Sequence, residues 1–477
     1  MDLNLSEEDW ATYLSRSHDF ELQELQEYNA YYEGTQPLSY MHPELLKEIG
    51  EQIRQVVINW PQLVIDAIEE RLDVEGFRYP DTDSASDELW RIWQANGMDE
   101  KSQQAHTDAL VMKRSFLVVG SNPKDATTPL VTAESPLQMY ADFDPATRQI
   151  RAALKRYNEI DPLTAAVRDR YATLYRPDAT VHFKSGGPGT WTVIDRDDHN
   201  VGEPLVAVLA NRGRLLVPGG QSGLKVVLPV SDAACKMATD LMVGAEFHAL
   251  PRRAAFGFDE EDFVDVNGKQ LSVWSRLAGR IWSTSKTRKE DGADVVQFPA
   301  ADLANFTGTI EFLARMVAAL AALPPNYLGL SADDAASADA IRSRETRLVK
   351  RCERTQKPFE AGHERMNRLV MRIVEGDWDP RLLRLETLWR DPATPTFAQK
   401  ADATVKLVQA NIIPVEQGRE DLGYTAVQLA RMREMDDRAL DRAMAGDFAA
   451  GYGPKPPSEP PTPADPLPAP ADPVPAG

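Results

Sequence analysis

Residues 301–330 read ADLANFTGTIEFLARMVAALAALPPNYLGL and residues 338–375 read ADAIRSRETRLVKRCERTQKPFEAGHERMNRLVMRIVE. In the first stretch Leu303, Phe306, Ile310, Leu313, Val317 and Leu320 recur at alternating three and four, the stripe of a helix packed along one face. Pro324-Pro325 stops it. In the second, Ile341, Leu348, Cys352, Phe359, Met366, Val370 and Ile373 signal a helix over 337–375, about 58 Å long at ~1.5 Å per residue. Pro358 falls inside it and is expected to kink it. Between the two helices lies a Gly- and Asp-containing loop with Leu328, Gly329, Leu330, Ser331, Asp333 and Asp334.

On the N-terminal side, residues 7–32 read as a helix ending in Tyr31-Tyr32-Glu33-Gly34, where Gly34 supplies a left-handed stop. Asn59-Trp60-Pro61 opens a second helix, with Leu63, Ala67 and Ile68 inward and Glu69-Glu70-Arg71 exposed. A third runs through Leu89-Trp90-Arg91-Ile92-Trp93. From about residue 115 short apolar runs follow, among them Phe116-Leu117-Val118-Val119, Tyr171-Ala172-Thr173-Leu174-Tyr175 and Trp191-Thr192-Val193-Ile194, separated by Gly, Pro and Asp. Antiparallel hairpins fit them best. Ser231 and Asp232 are a plausible N-cap for a helix to about His248, ended by Pro251. The class is α+β.

Beyond the long helix, residues 396–448 read as a smaller helical unit split by Pro414 and Gly423. The last 27 residues hold 11 of the 34 prolines and few large apolar groups, so a disordered tail is expected. A chain of 477 residues exceeds one ordinary core and should divide into several compact regions. Its 43% hydrophobic and 26% charged residues are near the globular average, so most of it should fold. No window suits a membrane span, and the opening Met1-Asp2-Leu3-Asn4 lacks the basic start of a secretory signal. The expectation is a soluble protein made in the cytoplasm.

Chemistry is sparse. Cys235 and Cys352 have no metal-binding companions and read as small buried apolar residues. Gly219-Gly220-Gln221-Ser222-Gly223-Leu224-Lys225 approaches a phosphate loop with the wrong spacing, and reads instead as a turn between two strands. The seven histidines show no HExxH spacing and no GxSxG elbow is present. Asp259-Glu260-Glu261-Asp262 reads as a solvated loop, since contiguous carboxylates point in alternating directions. No catalytic group, cofactor or metal is expected. The net charge of −20 argues against tight phosphate binding, and residues 1–100 hold 23 acidic against 6 basic groups, or −17. Against that background residues 341–375 carry ten Arg and Lys against five Glu, suited to nucleic acid, an acidic neighbouring subunit, or simply solvent.

The order of these pieces resembles the portal proteins of tailed bacteriophages, especially the long-tailed, siphophage type. The residues that carry the likeness include Tyr31-Tyr32-Glu33-Gly34, Asn59 with Glu70-Arg71-Leu72, and Trp93 with Asn96. Further on are Pro204-Leu205-Val206, Asn211-Arg212, Leu323-Pro324-Pro325-Asn326-Tyr327-Leu328-Gly329, Ser337-Ala338-Asp339-Ala340-Ile341, Trp389-Arg390-Asp391-Pro392, Ile413-Pro414 and Leu422-Gly423-Tyr424. The resemblance implies a homo-oligomeric ring, usually a dodecamer, around a channel for double-stranded DNA, at the capsid vertex of the virion. It implies partners in the terminase large subunit, a head-tail adaptor, the major capsid protein and scaffold, with no membrane.

By the same resemblance residues 1–225 form the wing, 226–250 a stem helix, 251–300 the clip and 301–323 a helix returning to the wing. Residues 324–337 are the tunnel loop, 338–375 the long kinked wing helix, 376–450 the helical crown and 451–477 the tail. Leu328 to Asp334 would face the channel, although an ordinary connection on the outer surface is the alternative. Lys286, Arg288 and Lys289 are candidate clip contacts for terminase. Twelve chains of −20 would sum to −240, so an acidic wall would let DNA slide without sticking. Competing readings are another virion connector, which is typically shorter, and a phage enzyme with a disordered tail, for which no acid, base and nucleophile align.

Overall fold

The structure is a computed structural model. It describes residues 5–37, 56–82, 84–187, 189–249, 253–256, 292, 294–297, 303–330, 338–393, 397–424 and 426–452. Compact units cover 1–394 and 395–477.

Helix α1 (Glu7–Tyr32) is capped by Ser6, whose side chain accepts from Asp9 N, and Gly34 follows it at φ +69°. Helix α2 (Trp60–Glu69) is capped by Asn59 and carries Pro61 in its first turn. After β1 (Val74–Arg78) come α3 (Asp87–Ala95) and α4 (Met98–Val111). Sequence reasoning missed α4, whose buried face sets Ser102, Ala105, His106 and Ala109 between Met98 and Leu110, so no continuous stripe of large apolar residues marks it. Glu69 and Arg71, expected in solvent, are half-buried. Burial and the nearby Asp73 raise the Glu69 carboxyl to about 7.

Strands β2 (Arg114–Gly120), β3 (Leu130–Glu134), β4 (Met139–Phe143), β5 (Ile150–Ile160), β6 (Val167–Tyr175), β7 (Ala179–Gly187), β8 (Thr190–Asp198) and β9 (Val206–Ala210) follow. They form a three-stranded sheet in the order β3-β2-β9 and a five-stranded meander β4-β5-β6-β7-β8, antiparallel throughout. The unbroken apolar run 116–119 has a physical reason: β2 is buried on both faces. Leu117 and Val119 enter the main core, while Phe116 and Val118 pack with Met139 and Ile150 of the meander. Helix α1 joins two cores, giving Trp10, Ala11 and Leu14 to the meander and Leu25, Tyr28 and Tyr31 to the main core.

Helix α5 (Leu228–Ala249) begins three residues before the expected cap. Ser231 is therefore inside it, fully buried, and its hydroxyl has no partner among the described residues. The neighbouring Asp232 instead accepts from the Tyr31 hydroxyl at 2.9 Å. Strands β10 (Arg253–Phe256) and β11 (Asp294–Gln297) pair antiparallel. Helix α6 (Ala304–Ala321) packs on α5, and its buried face is Ala314, Val317, Ala318 and Ala321. Leu320, read as part of the inward stripe, is exposed with Phe312 and Met316.

A 3-10 turn (Pro325–Leu328) leads towards α7 (Ala338–Glu375), 38 residues without a break through Pro358. Leu348, Cys352, Phe359, Met366 and Val370 line its buried face as the periodicity requires. Gly362 lets α7 approach β9 closely, since a Cβ there would sit 2.6 Å from Val208 O. Strand β12 (Glu386–Trp389) pairs with β1 across more than 300 residues of chain. Residues 376–394, which the resemblance groups with the crown, thus belong to the first unit. The second unit contains α8 (Phe397–Gln409), α9 (Val415–Asp421) and α10 (Ala426–Tyr452).

Candidate functional site

The joint between α6 and α7 holds most of the expected site residues that are described. Helix α6 ends at Ala322 in the left-handed region, with Leu323 N donating to Ala318 O. Two last-turn carbonyls are then taken by α7: Arg347 donates to Ala319 O at 3.3 Å and Arg351 to Ala321 O. Cations at a helix C-terminus satisfy orphan acceptors and oppose the negative end of the dipole. Burial and the neighbouring Arg212 lower the Arg351 guanidinium to about 9. Arg365, also on α7, donates to Val206 O and pairs with Glu203 at 3.0 Å. Part of the positive surplus on this helix is therefore engaged within the fold rather than presented outward.

The 3-10 turn is held from below by Arg71. Its Nη2 donates to the Tyr327 hydroxyl at 2.9 Å and lies 3.5 Å from Glu345 Oε1, while Nη1 donates to Pro392 O at 2.6 Å. One guanidinium thus ties the end of α2 to the loop entrance, to α7 and to the segment after β12. Gly329 closes the turn at φ +71°. Leu328 and Leu330 are half-buried against the main core and, with Trp60, Leu241, Ile310 and Ala314, line a cleft of about 420 Å³. The N-terminal end of the expected loop is therefore anchored. Ser331, Asp333 and Asp334 lie outside the described residues, as do Lys286, Arg288, Lys289 and the acidic run 259–262. Pro358 sits half-buried beside Phe359 within α7.

The Gly-rich segment connects strand β9 to helix α5, not two strands as expected. Its amides are used internally: Gly220 N donates to Val217 O, Gln221 N to Asn211 O and Gly223 N to Leu110 O. A side chain at Gly220 would meet Lys113 O at 2.2 Å. Those donors are unavailable to a phosphate.

Sequence reasoning also missed a histidine pair. His106 on α4 and His363 on α7 share a hydrogen bond, Nε2 to Nε2 at 2.9 Å, and both are fully buried among Trp93, Phe359 and Trp389. Burial holds both imidazoles below their ordinary range, His363 at about 3. A spacing search for metal ligands cannot find two residues 257 apart in sequence. Among the described residues no group of three or more His, Cys, Asp or Glu is placed to hold a metal, and no helix is long and apolar enough to cross a membrane. Cys235 and Cys352 are free and buried.

Residues 12–440 match the family described as phage portal protein, SPP1 Gp6-like. The portal protein of Mycobacterium phage D29 is 38% identical over 396 residues, covering 80% of this chain and 79% of the relative. The portal protein of Mycobacterium phage L5 is 35% identical over 422 residues, covering 85% and 84%. The match takes in the three- and five-stranded sheets, the α5 and α6 pair and the long α7 helix, and on it the chain belongs to the SPP1 Gp6-like family of phage portal proteins.

Proposed function

We propose that this chain assembles into a twelve-membered ring at the unique capsid vertex and forms a passive channel through which double-stranded DNA enters and leaves. The observation that carries the reading is the family match across residues 12–440. Helix α5 leads out, the paired β10 and β11 turn the chain, and α6 returns against α5. That sequence of elements supports α5 as the stem helix, the intervening segment as the clip and α6 as the helix returning to the wing. In this reading residues 1–225 and α7 make the wing and 324–337 the tunnel loop, and of the 376–450 expected for the crown the part from 395 on, which forms the second unit, makes it. The terminase large subunit and a head-tail adaptor dock at the clip end, with Lys286, Arg288 and Lys289 as candidate contacts, and capsid protein and scaffold surround the wing.

Channel chemistry follows from charge. The loop from Leu328 to Asp334 would reach the channel from its anchored N-terminal end, where Leu328 and Leu330 pack against the core, with Asp333 and Asp334 adding acidic rings that repel phosphate and leave no binding wells. Packaging energy comes from the separate terminase, since the amides of the Gly-rich segment are engaged within the fold. Class averages of the purified protein by electron microscopy test the ring directly, alongside an ATPase assay. Closed rings without ATP hydrolysis are expected; a monodisperse monomer at micromolar concentration, or robust intrinsic hydrolysis, would overturn the reading. Replacing Asp333 and Asp334 by Lys should leave rings intact and impair DNA packaging or retention.

A further inference from the structure

The turn Arg214–Val217 is closed by two backbone hydrogen bonds, Arg214 N to Val217 O at 3.0 Å and Val217 N to Arg214 O at 2.9 Å. Its foot is fastened to β2: Asn211 N donates to Lys113 O at 2.8 Å and Arg114 Nη1 to Gly219 O at 3.2 Å. On this rigid support Leu215 is 75% and Leu216 94% exposed, flanked by exposed Arg212 and Arg214. Leucines fixed in water by a turn of this kind bury nothing within their own subunit.

A complementary surface lies on strand β8. Among the described residues β8 pairs only with β7, so its other edge is open. A bulge after His182 turns out Ile194, which is 55% exposed. Asp195 and Asp197 stand opposite His182 and Thr180, away from the face that carries Val181 against α1. An open edge with an exposed apolar residue is a ready site for another chain.

The two surfaces lie on opposite sides of the first unit. Helix α1 crosses the meander, pairing Glu7 with Arg196 on β8, Tyr13 with Asp142 on β4, and Glu21 with Arg114 at the foot of the turn. Four steps of roughly 4.8 Å separate β4 from β8, or about 19 Å. A basic apolar tip beyond one edge and an acidic apolar edge at the other suit a head-to-tail contact, the kind that closes into rings.

Resting on the ring reading, we infer that the Arg214–Val217 turn of one copy docks against the β8 edge of the next copy, with Arg212 and Arg214 facing Asp195 and Asp197. Mass photometry of the full chain tests this, with thermal unfolding as the check on folding. Arg212→Glu/Arg214→Glu and Asp195→Lys/Asp197→Lys should each raise the protein concentration needed for ring assembly at least about tenfold, and combining the four substitutions should restore it. A chain carrying Leu216→Cys and Ile194→Cys should give a ladder of linked subunits with a short bismaleimide, and either cysteine alone should not; the native Cys235 and Cys352 are buried. Rings that form equally from every variant, or intact rings of the two-cysteine chain that give no ladder, would remove this contact and leave the ring standing. A wild-type chain that stays monomeric would remove both.

Discussion

His106 and His363 bind one shared proton between their Nε2 atoms, and a second would set two N–H groups face to face in an apolar site. Both are neutral when folded, whereas the unfolded chain takes up a proton at each as pH falls below 6.5. Their depressed values therefore contribute stability that is full above that pH and is lost below it, by about 2 kcal/mol at pH ~5 for His363, with His106 acting in the same direction. Glu69 and Glu364, both raised to about 7, act in the opposite direction, so the test is a difference. Relative to wild type, His106→Leu/His363→Leu should gain at least about 2 kcal/mol between pH ~7.5 and ~5 in denaturant titrations. A pH-independent difference would show that the pair titrates normally. Glycines give a second contrast. Gly362→Ala should destabilise by about 1–2 kcal/mol, because overpacking against β9 outweighs the gain in helix propensity. Gly308→Ala on α6, where a Cβ meets nothing within 4 Å, should stabilise by about 0.5–1 kcal/mol.

At the scale of elements, the joint between α6 and α7 depends on side chains that arrive from elsewhere. Arg347 and Arg351 close the end of α6, and Arg71 fastens the 3-10 turn and Pro392 to α2. Removing Arg71 leaves Pro392 O and the Tyr327 hydroxyl without its donors. Arg71→Ala should cost about 2 kcal/mol in unfolding free energy. Arg71→Lys should recover only part of that, because an ammonium cannot span three acceptors in a planar fork. Equal stability of both variants with wild type would show that the joint holds without this guanidinium.

For the molecule as a whole, composition makes its own prediction. Residues 453–477 offer almost no large apolar side chains, so deleting them should leave folding and ring assembly unchanged, as read by thermal unfolding and mass photometry. The large acidic excess predicts weak DNA binding that varies little with sequence, measurable by filter binding at low salt. Tight, salt-resistant binding would count against a sliding channel.

Local patterns fixed the helices α1, α2, α3, α6 and α7 and the meander, since period, caps and proline stops act within a few residues. The Gly34 stop and the Asn59 cap needed no tertiary information, and the ordered motifs were enough to suggest the family. Tertiary structure decided whatever depends on residues far apart in the chain. It placed Arg71 on Tyr327 and Pro392, His106 on His363, and β1 on β12. It also set the start of α5 before Ser231 and turned Leu320 outward, because burial there follows from which helix packs alongside and not from the hydrophobic period. Helix α4 escaped notice for the same reason: Ser102, Ala105 and His106, which lie between its buried Met98 and Leu110, become core only when α7 and β2 close over them.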